Sequence, residues 1–232
     1  MNEAVFKISV KETVDFLKSI SLFKDYRLLK DIGLYKEETI EVSKTNDYLK
    51  IYDVIVNNND YDILLFDDSI FQLSNKGGKC RYAFMQCTHK PLTFEEFMYE
   101  TFGGEFDTGG EPLSAFYADF EEDYNQRRDE QQINTNAVYF RYDTDELGYL
   151  PNVHSYAHLH VGLNNSIRIP CSRELTPFAF VLFAVKHVYS QYWKDAILKE
   201  IINESHYSFK NKCNTLEKDY WKDMEKRDLY ID

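Results

Sequence analysis

The 232-residue chain has four cysteines, Cys80, Cys87, Cys171 and Cys213, and among them no C-x-x-C pair and no zinc-ribbon spacing. That excludes frameworks built on closely spaced thiolates. No apolar run approaches the roughly 18 residues that span a bilayer, so no membrane association is expected. Residues Met1 to Val10 lack the basic flank and long apolar stretch of a secretion signal, which points to a cytoplasmic protein with reduced thiols. Internal repeats and low-complexity linkers are absent as well. Positive charge is the remaining shortage: 27 Lys and Arg against 39 Asp and Glu leave a net charge of −12. Such a surface repels nucleic acid and anionic membranes at long range. Any nucleic-acid site therefore needs a local cluster of Arg or Lys.

Hydrophobic residues make up 44% of the chain and aromatic residues 16%, enough to bury a sizeable core. The 18 tyrosines favour a core edged by hydrogen bonds or a binding surface. Val14, Leu17, Ile20 and Phe23 fall at helical spacing and predict a helix over Lys11 to Lys24. A second helix is expected over Thr45 to Asn57. Tyr61 to Phe66 reads as a buried strand turned at Asp67-Asp68 into Ile70 to Ser74, and Lys79 to Gln86 reads as a third strand. Thr88 to Gln131 changes to helix and loop, with Thr93 a cap and Pro112 suited to a first helical turn. Strands resume at Ala137 to Asp143 and within Ala157 to Ile169. Thr176-Pro177 opens an apolar helix to about Tyr189, and the remainder reads as one or two outer helices. The expectation is a single α+β domain, an antiparallel sheet flanked by helices. Its helical parts are an N-terminal segment (1–60), an insertion (88–131) and a C-terminal segment (176–232).

Three of the six histidines, His154, His158 and His160, lie within seven residues. On a strand, His158 and His160 share a face, while Leu159 and Val161 turn to the core. A two-residue turn at Asn164-Asn165 would pair Arg168 with Val161 on the apolar face. A three-residue loop instead puts Ile167 and Ile169 against apolar partners and Arg168 beside the histidines, and that register is the expected one. Arg141 and Asp143 alternate in the same way on the preceding strand. If that strand lies beside the His158 strand, one sheet face carries Arg141, Asp143, His158, His160 and Arg168. Two imidazoles can divide base and acid duty, two guanidiniums can hold a phosphate, and Asp143 can orient an imidazole. Equally, His154, His158, His160 and Asp143 include a three-ligand set for a divalent metal, although nearby arginines would oppose a cation. The bland alternatives are core histidines with hydrogen bonds and a simple Arg141–Asp143 ion pair. Arg81 and Gln72 alternate toward the same region, Asp67-Asp68-Ser69 reads as a turn, and Cys171 is a weak candidate nucleophile.

The segments Tyr61 to Ser74, Arg81-Tyr82-Ala83-Phe84, Tyr139-Phe140-Arg141-Tyr142-Asp143 and His158-Leu159-His160-Val161-Gly162, continuing to Ile167-Arg168-Ile169-Pro170, resemble an uncharacterised bacterial family, a domain of unknown function. The resemblance runs from about Tyr48 to Trp193 and implies no particular reaction. More distantly, the order of these motifs is similar to TumE-type toxins of bacterial toxin–antitoxin pairs, which implies a defence or toxin role. The long Thr88 to Gln131 insertion and Asp68, where a glycine is more usual, depart from that pattern.

Two functional classes follow. One is a phosphodiester-acting hydrolase, a ribonuclease-like effector with an RNA or nucleotide substrate, working without a cofactor or with a divalent metal. The other is a non-catalytic subunit that binds a protein partner through its acidic, tyrosine-rich surface.

Overall fold

The computed structural model describes residues 1–88, 93–103, 106–129, 137–163, 167–203, 206 and 209–232. The chain forms two compact units, one of residues 1–86 with 138–232, the other Cys87–Ala137. The fold is α+β.

The first unit opens with helix α1 (Glu3–Ser19), capped by the Asn2 side chain on Val5 N. The helix begins eight residues earlier than its stripe predicts, and Ser21 in a left-handed conformation (φ 61°) ends it. Phe23 therefore leaves the helix and starts strand β1 (Phe23–Tyr26). Helices α2 (Glu37–Val42) and α3 (Tyr48–Asn57) follow, then strands β2 (Ile63–Leu65), β3 (Ile70–Lys76) and β4 (Lys79–Met85). After the second unit come β5 (Tyr139–Thr144), β6 (Ala157–Val161) and β7 (Ile167–Pro170). All seven strands pair in chain order as one antiparallel sheet. Gly33 is required where it sits, with φ +77° and Leu73 O only 2.9 Å from where a Cβ would stand.

Alternation gives the sheet two unlike faces. Phe71, Leu73, Tyr82, Phe84, Tyr142 and Leu159 are fully buried in the main core. Against them pack α1, through Phe6, Val10, Val14 and Leu17, and α6 (Pro177–Val188), through Phe178 to Val185. Thr176 caps α6 by accepting from Ala179 N, and Pro177 sits in its first turn. Helix α7 (Ser190–Leu198) follows. Beyond it the chain is less helical than expected: short helical turns and a two-residue pairing of β8 (Arg173–Glu174) with β9 (Asn214–Thr215) bring Cys213, Leu216 and Trp221 into the core. On the second face α3 reaches over one end, with Tyr48 donating to the Gln86 and Val138 carbonyls and Tyr52 to that of Asp68. The polar residues of β4 to β7 gather on this face.

The second unit is the helical insertion. Thr93 and Glu96 form a reciprocal capping box for α4 (Phe94–Phe102). A short turn at Leu113–Phe116, preceded by Pro112, leads into α5 (Tyr117–Asp129). Phe97 and Met98 are buried among Phe94, Phe102, Phe106, Leu113, Phe120 and Tyr124.

Candidate functional site

Two rows of cross-strand neighbours build the site. Ser74, Arg81, Asp143, His158 and Pro170 form one row; Gln72, Ala83, Arg141, His160 and Arg168 form the next. Val161 pairs with Ile167 and His160 with Arg168, so Arg168 stands on the histidine face. The three-residue loop that this register implies, residues 163–165, falls in part outside the described residues.

Asp143, only 4% exposed, is the hub. Its Oδ1 accepts from Arg81 Nε at 2.7 Å, and its Oδ2 from Arg141 Nε at 2.6 Å. His160 Nε2 stands 3.3 Å from the same Oδ2. Burial alone would raise the Asp143 pKa. The His160 hydrogen bond and the two arginine charges outweigh it and hold the carboxylate ionised well below the usual range. An ionised carboxylate only accepts, so His160 Nε2 donates and Nδ1 keeps the lone pair. That Nδ1 is buried with no hydrogen-bond partner among the described residues. Burial lowers the His160 pKa, the Asp143 bond opposes this, and the Arg141 charge adds to it.

His158 is the complementary imidazole. Its Nδ1 lies 2.8 Å from the Ser155 carbonyl oxygen, which can only accept, so Nδ1 carries the proton and Nε2 the lone pair. Burial brings its pKa down to about 4. Both imidazoles are therefore neutral near pH 7. The rings lie 4.7 Å apart, and the His154 ring is 4.9 Å from that of His158.

Lys79, Arg81, Arg141, Asp143, Asp145, His154, His158, His160 and Arg168 line one cleft of about 130 Å³. Four cations face two carboxylates there, a local positive surplus on a chain of net charge −12. Lys79 is paired with Asp145 at 3.2 Å. Arg168 is exposed and has no ion-pair or hydrogen-bond partner among the described residues. A second cleft of about 220 Å³ shares His158 and Arg168 with the first and extends past Asn152, Val153, Ser155 and Pro170 to Glu225, Asp228 and Leu229.

The five residues expected from the sequence thus meet on one face, with His154 at the rim. Arg81, expected to alternate toward this region, lines the cleft, and Lys79 and Asp145 obey the same two-residue alternation, so the signal for them was present too. Glu225 is brought from a distant turn that no local pattern announces. Of the metal candidates, Asp143, His158 and His160 offer ligand atoms within 4.8 Å of one another; His154 is not in that group. Gln72 donates to the Asp60 carbonyl and does not line the cleft. Asp67 accepts from Ser69 and Tyr189 as a turn anchor. Cys171 is no nucleophile here: its thiol lies with Leu159 in the core, and burial pushes its pKa up to about 12.

Fold and cleft together define an α+β protein with a cationic, histidine-lined site on one face of an antiparallel sheet. The chain belongs to the DUF2290 family of uncharacterized conserved proteins, whose model matches residues 20–222. No curated protein and no solved structure matches it. Among the described residues, no helix is long and apolar enough to cross a membrane.

Proposed function

We propose that the cleft binds a phosphodiester and cleaves it by proton transfer, with single-stranded RNA as the substrate. The observation that carries this reading is the pairing of a neutral His158, whose Nε2 carries the lone pair, with a cluster of four cations in one cleft. Arg141 and Arg81 are held through Nε by Asp143, which pre-orients their guanidinium groups for an anion. Arg168 and Lys79 complete the cradle. In the proposed step His158 Nε2 takes the proton of the ribose 2′-hydroxyl, and that oxygen attacks the adjacent phosphorus. The bond from phosphorus to the 5′-oxygen breaks, and the leaving oxygen takes its proton from water, because His160 Nδ1 is buried and carries none. The products are a 2′,3′-cyclic phosphate and a 5′-hydroxyl. His160 acts through Asp143, whose carboxylate it helps to hold between Arg81 and Arg141.

The test is cleavage of a short RNA by the purified chain. His158→Ala is expected to lose roughly 100-fold or more in rate, in line with one acid–base group, with the melting temperature within a few degrees. Arg168→Ala removes an exposed side chain that has no partner among the described residues, so it should leave stability within about 0.5 kcal/mol while weakening binding of the oligonucleotide. Equal activity of wild type and a His158→Ala/His160→Ala double variant sinks the reading.

A divalent metal on Asp143, His158 and His160 is the second reading, favoured by the closeness of their three donor atoms. Asp143 already receives three donors, and a cation would have to displace or share them. Titration with Mn²⁺ or Zn²⁺ discriminates the two: tight binding that the double variant abolishes supports the metal.

A further inference from the structure

Glu225 is only 2% exposed and lines the second cleft. Its Oε2 accepts from Tyr149 Oη at 2.8 Å and from Lys222 N at 2.9 Å. Its Oε1 is buried and has no hydrogen-bond partner among the described residues. A buried carboxylate oxygen without a donor is costly, and in native proteins such an atom is met by water or by a ligand. Val153 and Leu229, both largely exposed, give the same cleft apolar walls, and His158 and Arg168 join it to the cationic cleft. An acceptor beside apolar surface, next to a phosphate cradle, has the chemistry that receives a planar base bearing an N–H donor.

We infer that this second cleft seats the nucleobase next to the bound phosphate, and that Glu225 Oε1 selects bases with an exocyclic amino group. The inference rests on the phosphodiester reading and adds base selection to it. Adenine, cytosine and guanine each present an amino group. Uracil presents a carbonyl oxygen in the place of the cytosine amino group and would meet the carboxylate acceptor to acceptor. A hydrogen bond to a buried charged group corresponds to roughly 10- to 100-fold in affinity. The family match ends at residue 222, so Glu225, Asp228 and Leu229 lie beyond it, while the cationic cleft lies inside it.

The experiment titrates the full chain with inorganic phosphate and with the 3′-monophosphates of adenosine, cytidine and uridine, by calorimetry or NMR. Wild type is expected to bind cytidine and adenosine monophosphates at least tenfold more tightly than uridine monophosphate, and uridine monophosphate about as well as phosphate alone. Glu225→Gln puts a donor where Oε1 stands and is expected to reverse the order of cytidine and uridine. If that variant fails to fold, the wild-type ratio decides by itself. Equal binding of the three nucleotides overturns base selection and leaves the phosphate cradle standing, with water on Oε1. Retention of the wild-type order by folded Glu225→Gln also overturns it. Absence of binding by phosphate and by every nucleotide overturns base selection and the phosphodiester reading together.

Discussion

At the scale of single residues, the site is organised by one carboxylate rather than by the histidines that first draw attention. Asp143 holds Arg81, Arg141 and His160 at once, so Asp143→Asn strands two guanidiniums and frees His160 to adopt either tautomer. Breaking a fully buried pair costs about 3–5 kcal/mol; here about 2 kcal/mol is expected, because Arg81 is more than half exposed. Denaturant titration checks it. The pH dependence carries the same signature. His158 in the folded chain titrates near 4, below the value of about 6.5 of an unfolded histidine. As pH falls from about 6.5 to 4, the unfolded chain takes up that proton first, so stability declines through this window and is level above it with respect to this group. Asp143 has its pKa depressed, so its contribution is present above about 4 and is lost on further acidification. His160 also has its pKa lowered, so a His158→Gln variant should reduce the first decline without abolishing it and keep the second. Thermal melts from pH 8 to 3 would show whether it does.

At the scale of elements, what was legible depended on whether a strand or helix announced its own limits. The positions of strands β2 to β7 along the chain and the alternation of Arg141, Asp143, His158, His160 and Arg168 followed from two-residue spacing between turn residues, whereas the pairing of β5 with β4 and β6 came only from the fold. Thr176-Pro177 marked α6 correctly because cap and proline act locally; Thr176→Ala should cost about 1 kcal/mol and about 2–4 °C in melting temperature. Strand β1 was hidden since Phe23 continues the helical spacing of α1, and a serine with positive φ stops that helix where neither glycine nor proline warns of it. The region after α7 looked helical from its composition, yet its aromatic and apolar residues serve the core through irregular backbone. Glu225 was invisible for the same reason: it reaches the cleft through tertiary folding.

At the scale of the molecule, the sheet does not need the insertion to bring β4 and β5 together. Gln86 N donates to the Val138 carbonyl at 3.0 Å, and Val138 N donates to Gln86 Oε1 at 3.0 Å, so the strands are already hydrogen-bonded neighbours where the second unit leaves and returns. Replacing residues 87–137 with an Asn-Gly turn is expected to keep the sheet folded and its phosphate titration unchanged. Loss of cooperative melting in that variant would refute it.

The local positive surplus on an acidic chain has a further consequence, in time rather than in affinity. An oligonucleotide approaching this protein meets net repulsion at a distance and attraction only inside the cleft. Salt shortens the Debye length from about 30 Å at 0.01 M to about 8 Å at 0.15 M, which removes the long-range repulsion before it weakens the close contacts. On the proposed reading the encounter rate therefore climbs with added salt while residence in the cleft shortens, the reverse of the salt-slowed capture typical of basic nucleic-acid-binding proteins. Stopped-flow mixing across that range would separate the two rates.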